Sequence, residues 1–169
     1  MAAVTQMLLL AARVPVTTLI NASGNTKIGT MTNGGGLAAA FDGTTSQTAA
    51  ASAATVGAST AGYNNFVGID WGAGNTKLIT KVDLFASSNE ALINGVGGSG
   101  VKLFGSTDNF AASNVELHNF QTILASAASS VLNIVPTLIT TAYRYHRIAI
   151  SGNGANGSSI ACVRFYQDI

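Results

Sequence analysis

Short alternating runs, cut apart by glycine, asparagine and serine, constrain this chain more than any other feature. Phe66-Val-Gly-Ile-Asp-Trp71 sets Val67, Ile69 and Trp71 on one face, because side chains along a strand alternate with period two. After Gly72-Ala-Gly-Asn-Thr, residues 78–85 read as the next strand, with Thr80, Val82 and Leu84 together. Val101-Lys-Leu-Phe-Gly follows, then Val115-Glu-Leu-His, with Val115 and Leu117 inward. Val131-Leu-Asn-Ile-Val runs into Pro136, which suits an edge strand or a strand end. Residues 143–150 and 160–166 are joined by Ser151-Gly-Asn-Gly-Ala-Asn-Gly-Ser, a hairpin signal. Many short strands at such spacing predict a sandwich or barrel. Residues 120–130 hold no helical stripe and read as an irregular loop, and 38–61 are low in complexity.

The 169 residues suit a single domain with one core. Only 9% are charged, so Ser, Thr, Asn and Gly must supply the polar surface. The formal net charge of +1 gives little mutual repulsion and favours association. The eight Lys and Arg form no run, so no nucleic-acid partner is expected. No apolar stretch reaches the roughly 20 residues that a membrane-spanning helix needs. The start resembles a signal peptide only superficially, lacking a basic region before a short apolar run. The single Cys162 cannot form an internal disulfide and suits a reducing cytoplasm.

Six motifs, in order, resemble the discoidin or coagulation factor 5/8 type C family. They are Ala39-Ala-Phe-Asp-Gly-Thr-Thr-Ser46, Phe66-Val-Gly-Ile-Asp-Trp-Gly72, Ile79-Thr-Lys-Val-Asp-Leu-Phe85, Leu103-Phe-Gly-Ser-Thr-Asp108, Tyr143-Arg-Tyr-His-Arg-Ile148 and Val163-Arg-Phe-Tyr166. The resemblance covers about residues 38–169. It implies an all-β fold: a galactose-binding-like jelly-roll β-sandwich of about eight strands, with ligand-binding loops at one end. The domain is expected over 21–169, after an N-terminal arm at 1–20. The arm's apolar Met7, Leu8, Leu9 and Leu10 are expected to dock on a neighbouring subunit, on a particle, or on the sandwich itself. The resemblance also raises a structural calcium at Asp42. Here the second acid of that loop is Thr44, and the last-strand acid falls near Ala161 or Cys162. A turn role for Asp42 is therefore preferred to calcium, and no cofactor is expected. Arg144 and Arg147 read as strand residues that pair locally, and His146 as exposed or hydrogen-bonded at a sheet face.

Other motifs lack their context. Gly152-Asn-Gly-Ala-Asn-Gly157 matches a dinucleotide fingerprint, but a strand-like run follows instead of a helix. No two-His metal spacing and no nucleophile elbow exists. Asn21-Ala-Ser23 and Asn156-Gly-Ser158 match the glycosylation sequon, which matters only after secretion. The chain reads as a non-enzyme.

Two functions follow. The first is a structural part of a tailed-bacteriophage particle: capsid decoration, head fibre, tail or adaptor. Its supports are a domain without catalytic neighbour or export signal, and a composition like that of phage structural proteins. It would assemble in the host cytoplasm with other virion subunits, as a homo-oligomer. The alternative is a carbohydrate-binding module attaching to a host or matrix glycan. Sugar sites need aromatic faces and planar polar groups. Tyr63, Asn64 and Asn65 supply both in a loop, with His118 and Asn119 as further choices.

Overall fold

A computed structural model describes residues 16–45, 54–56, 63–86, 100–120, 131–134, 139–150 and 158–169. The strands are β1 (Thr17–Leu19), β2 (Thr26–Gly29), β3 (Asn33–Gly34), β4 (Ala54–Val56), β5 (Asn65–Asp70) and β6 (Lys81–Ala86), then β7 (Val101–Ser106), β8 (Val115–Asn119), β9 (Val131–Ile134), β10 (Tyr145–Ile150) and β11 (Ser158–Asp168). One helical turn, α1 (Gly36–Ala39), interrupts them. Two antiparallel sheets result: one in the order β3-β4-β11-β6-β9 with β1 also on β11, the other β2-β5-β10-β7-β8. The expected all-β sandwich is observed. Its extra strands are short pieces early in the chain that local alternation does not signal.

The core lies between the sheets. Val67, Ile69, Trp71, Val82 and Leu84 are all buried, as the alternation predicts, and they join Leu103, Ile148, Ile150 and Phe165. β9 is an edge strand, consistent with Pro136 just beyond it. One expectation needs correction: Val115 is 42% exposed, because it opens the edge strand β8. Of the two readings of His146, the hydrogen-bonded one holds: it accepts from Trp71 Nε1–H at 2.9 Å on the inner face of the sheet, buried in parity with Ile148 and Ile150.

On the outer face of the second sheet, Gly68 lies opposite Arg147. The missing side chain lets the guanidinium settle against Phe66, Phe104 and Phe110, with its carbon 4.7, 5.1 and 4.2 Å from the ring centroids. Such cation–π contacts offset part of the cost of half-burying the charge. Arg144 instead forms a two-pronged pair with Asp70, at 2.7 and 2.8 Å. Both arginines thus pair locally as expected, but only Arg147 is a strand residue; Arg144 sits in the bend just before β10. After the Gly-rich run at 151–157, which lies outside the described residues, Ser158 opens a strand and not a helix. No helix then follows the glycines to present its N-terminus to a pyrophosphate. Met7, Leu8, Leu9 and Leu10 and residues 121–130 also lie outside the described residues. Within the stretch set apart as an arm, Thr17–Leu19 forms β1 and pairs with β11.

Candidate functional site

One concavity among the described residues arises from how β11 is paired. β6 takes one side of β11. On its other side β4 pairs only with Ser158–Ile160, and β1 only with Tyr166–Asp168. Among the described residues the middle of that edge has no strand partner, yet its backbone groups still need hydrogen bonds. The turn after α1 supplies one: Val163 N–H donates to the Ala40 carbonyl at 2.7 Å. From the other side Ile20 N–H donates to the Phe165 carbonyl at 2.8 Å. A hollow of about 340 Å³ remains between these two segments.

Its polar lining comes from Asn21, Ser23, Asp42 and Arg164, and its apolar lining from Leu19, Phe41 and Phe165. Phe41 and Phe165 stack with centroids 6.2 Å apart, which makes that wall rigid. Asn21 Oδ1 accepts the Ser23 N–H at 2.9 Å, turning the chain so that both side chains face the same space. Gly43 has φ of 85°, a left-handed conformation that suits glycine. Asp42 Oδ1 accepts the Thr44 N–H at 2.7 Å, so the expected turn role is observed. Arg164 donates from Nη2 to the Gly43 carbonyl at 3.1 Å. A carboxylate, a guanidinium, an amide and a hydroxyl thus meet above an apolar wall. That is the usual chemistry of a small polar ligand's pocket, and the volume falls in the usual range of about 300–1,000 Å³.

The residues present do not fit the calcium that the family resemblance raises. Calcium takes six to eight oxygens, with carboxylates among them. Asp42 is the one acid in the loop, and its Oδ1 already holds the Thr44 N–H. The Gly43 carbonyl accepts from Arg164, whose fixed positive charge repels a second cation. Among the described residues no group of three or more His, Cys, Asp and Glu gathers anywhere.

The residues singled out for sugar contact lie elsewhere. Asn65 pairs with Ile150, and Lys102 pairs with Asn119, so Tyr63–Asn65 and Asn119 share one end of the second sheet. Tyr63 packs edge-on against Phe104, and Lys102 Nζ sits 4.6 Å from its ring centroid. That makes Tyr63 an anchor on β7. Asn64 is exposed, whereas Asn65 is buried as the first residue of β5 and presents no side chain to a ligand. His118 is half-buried against Phe120, 4.9 Å between centroids, on the face opposite Asn119. Its pKa is lowered by burial, with Glu116 opposing.

Sequence reasoning missed Asn21, Ser23 and Arg164 as a group. Asn21 and Ser23 were visible only as a sequon, and nothing local ties them to Arg164. The strand order brings them together.

No protein-family model and no curated protein matches the chain. Solved structures do. CBM62 from Clostridium thermocellum Xyl5A, a carbohydrate-binding module, is 22% identical, with a TM-score of 0.62 over 85% of this chain and 94% of that one. The family 32 module from C. perfringens NanJ, in complex with galactose, is 15% identical, with a TM-score of 0.57 over 90% and 100%. A mutant of the lectin binding domain of lectinolysin, complexed with Lewis b, is 15% identical, with a TM-score of 0.63 over 91% and 100%. At such identities the likeness shows the fold: the jelly-roll sandwich found in carbohydrate-binding modules and lectin domains, in keeping with the discoidin-like motifs. These relatives lend the virion reading no support.

Proposed function

We propose that this chain is a non-catalytic carbohydrate-binding domain that takes a neutral sugar in the hollow beside β11. The observation that carries this reading is the meeting of Asn21, Ser23, Asp42 and Arg164 over the Leu19, Phe41 and Phe165 wall. A sugar ring presents hydroxyls that both donate and accept, and an apolar face. Asp42 and Arg164 bring opposite charges, so the hollow favours a neutral ligand. The fold it sits in is the one used by modules solved with galactose and with Lewis b. That choice of fold supports the alternative function drawn from the sequence over the virion one.

Calorimetry with galactose, beside a glycan array, tests it. Saturable binding is expected, weakened about tenfold or more by Asn21→Ala and by Asp42→Asn. The second change keeps an acceptor for Thr44 N–H and removes the charge. The reading is overturned by a chain that binds no glycan and forms a high-order assembly, the result expected of a virion subunit. Galactose binding indifferent to both variants would overturn the site.

A further inference from the structure

A second hollow, of about 390 Å³, lies across residues 19–21 from the first. Asn25, Asn75, Lys77 and Gln167 line it, with Asn21 shared between the two. Trp71 forms part of the wall, but its indole N–H already donates to His146 inside the core. We infer that this hollow is a separate site for a sugar carrying a carboxylate, a hexuronate.

Lys77, Asn75 and Gln167 are held in place by backbone bonds that leave their side chains unused, while the Asn25 amide is fixed by donating from Nδ2 to the Asn21 carbonyl at 3.3 Å. Lys77 exchanges two backbone hydrogen bonds with Tyr143, at 2.9 and 3.0 Å. Asn75 N–H closes a turn on the Gly72 carbonyl at 3.1 Å, with Gly72 and Gly74 both at positive φ. Gln167 is locked in β11 opposite Thr18. Among the described residues the Lys77 ammonium has no ion pair or hydrogen bond, and the side-chain amides of Asn75 and Gln167 have no protein partner. Rigid backbones carrying polar groups without partners, all facing one concavity, are what a polar ligand completes.

The charge pattern selects an anion. No carboxylate lines this hollow. Of the nearby acids, Asp70 is paired with Arg144, and Asp168, one residue from Gln167 in β11, points to the opposite face of that strand. Beside it the Lys27 ammonium is bonded to the Ala22, Ser23 and Asn25 carbonyls, at 2.8, 2.7 and 2.7 Å, and adds positive potential without an anionic partner. The amides suit a ligand with hydroxyls beside its anionic group better than a bare phosphate or sulfate, because Asn75 and Gln167 each offer a donor and an acceptor and such an anion uses only the donor. A uronate presents its carboxylate to Lys77 and its hydroxyls to the amides.

Galacturonate and galactose, compared by calorimetry, test this apart from the function proposed above. Galacturonate binding is expected to weaken about tenfold in Lys77→Gln, the loss of one charge-assisted contact. Lys77→Arg should restore part of it. Lys102→Gln, the same charge change on the second sheet, should leave it unaltered, as should Asp42→Asn. Lys77→Gln and Lys77→Arg should keep the parent's Tm. Wild-type chain that fails to bind galacturonate, or binding equally strong in Lys77→Gln, overturns the inference. Galacturonate binding lost in Asp42→Asn but kept in Lys77→Gln also overturns it, by placing the ligand in the first hollow. Absence of galactose binding with Lys77-dependent galacturonate binding would overturn only the earlier proposal.

Discussion

Trp71 donates its indole Nε1–H to Nδ1 of His146 at 2.9 Å, inside the core. With Nδ1 accepting, the imidazole must carry its proton on Nε2, which is buried without a partner. His146 lies in β10 of the second sheet, where its backbone pairs with Ile69 of β5, and Trp71 follows directly after the end of β5. Phe165, from the opposite sheet, closes on both rings, with centroids at 6.0 and 6.1 Å.

This pair makes stability depend on pH. Burial pushes the His146 pKa down to about 3, from an ordinary value of 6.5. The unfolded chain therefore binds this proton more readily than the folded one. The full contribution is present above about pH 6.5 and falls by about 1.4 kcal/mol per unit as the pH drops toward 3. Between pH 6.5 and pH 5 the loss is about 2 kcal/mol. Urea unfolding at several pH values checks it, and His146→Gln should flatten that part of the curve. Trp71→Phe leaves Nδ1 unpaired in the core and should cost at least about 1–3 kcal/mol.

Gly68 should tolerate no side chain. A Cβ there would run into the His146 carbonyl oxygen and lie 2.9 Å from the Arg147 Cβ. The obstacle is the backbone of a central strand, which has nowhere to move. Gly68→Ala should destabilise by about 3 kcal/mol, the upper end for overpacking. Denaturant titration would show a lower midpoint with an unchanged slope. A midpoint equal to the parent's would mean that β5 and β10 are not paired in this register.

Arg164 should do for the 41–44 turn what a bound ion would otherwise do. A chelator is expected to leave Tm unchanged, and added calcium to leave it unchanged as well. Arg164→Ala frees the Gly43 carbonyl and should lower Tm by a few degrees, the shift of about 1 kcal/mol in a chain of this size. A rise in the parent's Tm with millimolar calcium would contradict this.

Asp70 should matter at neutral pH and cease to matter in acid. The hydrogen bond from Arg144 holds its carboxyl below the usual carboxylate range, with the Gly72 N–H assisting. Its folded pKa is depressed, so its stabilisation is present above the unfolded value and is lost as the pH falls through the folded one. Asp70→Asn should melt below the parent at pH 7, and the gap should close as the solution is acidified. A gap independent of pH would assign the effect to packing.

Alternation along a strand is a property of the backbone alone, and it made β5, β6, β10 and β11 legible as strands, though not at their ends: β6 begins at Lys81 rather than at 78, and Ile79, not Thr80, enters the core. It placed Val67, Ile69, Trp71, Val82 and Leu84 in the core before any coordinates, and the Asp42-Gly43 pair announced its turn. Strands of two to four residues such as β1 to β4 carry too few alternations to be seen. They exist because β11 and β5 offer them edges to pair with. Both hollows lie outside what local pattern can reach. Asn21 meets Arg164, and Asn25 meets Lys77 and Gln167, only because β1 and β4 divide one edge of β11 between them. Side-chain parity is set within a few residues, whereas the partners of a strand are chosen across the whole chain by which faces must leave water together.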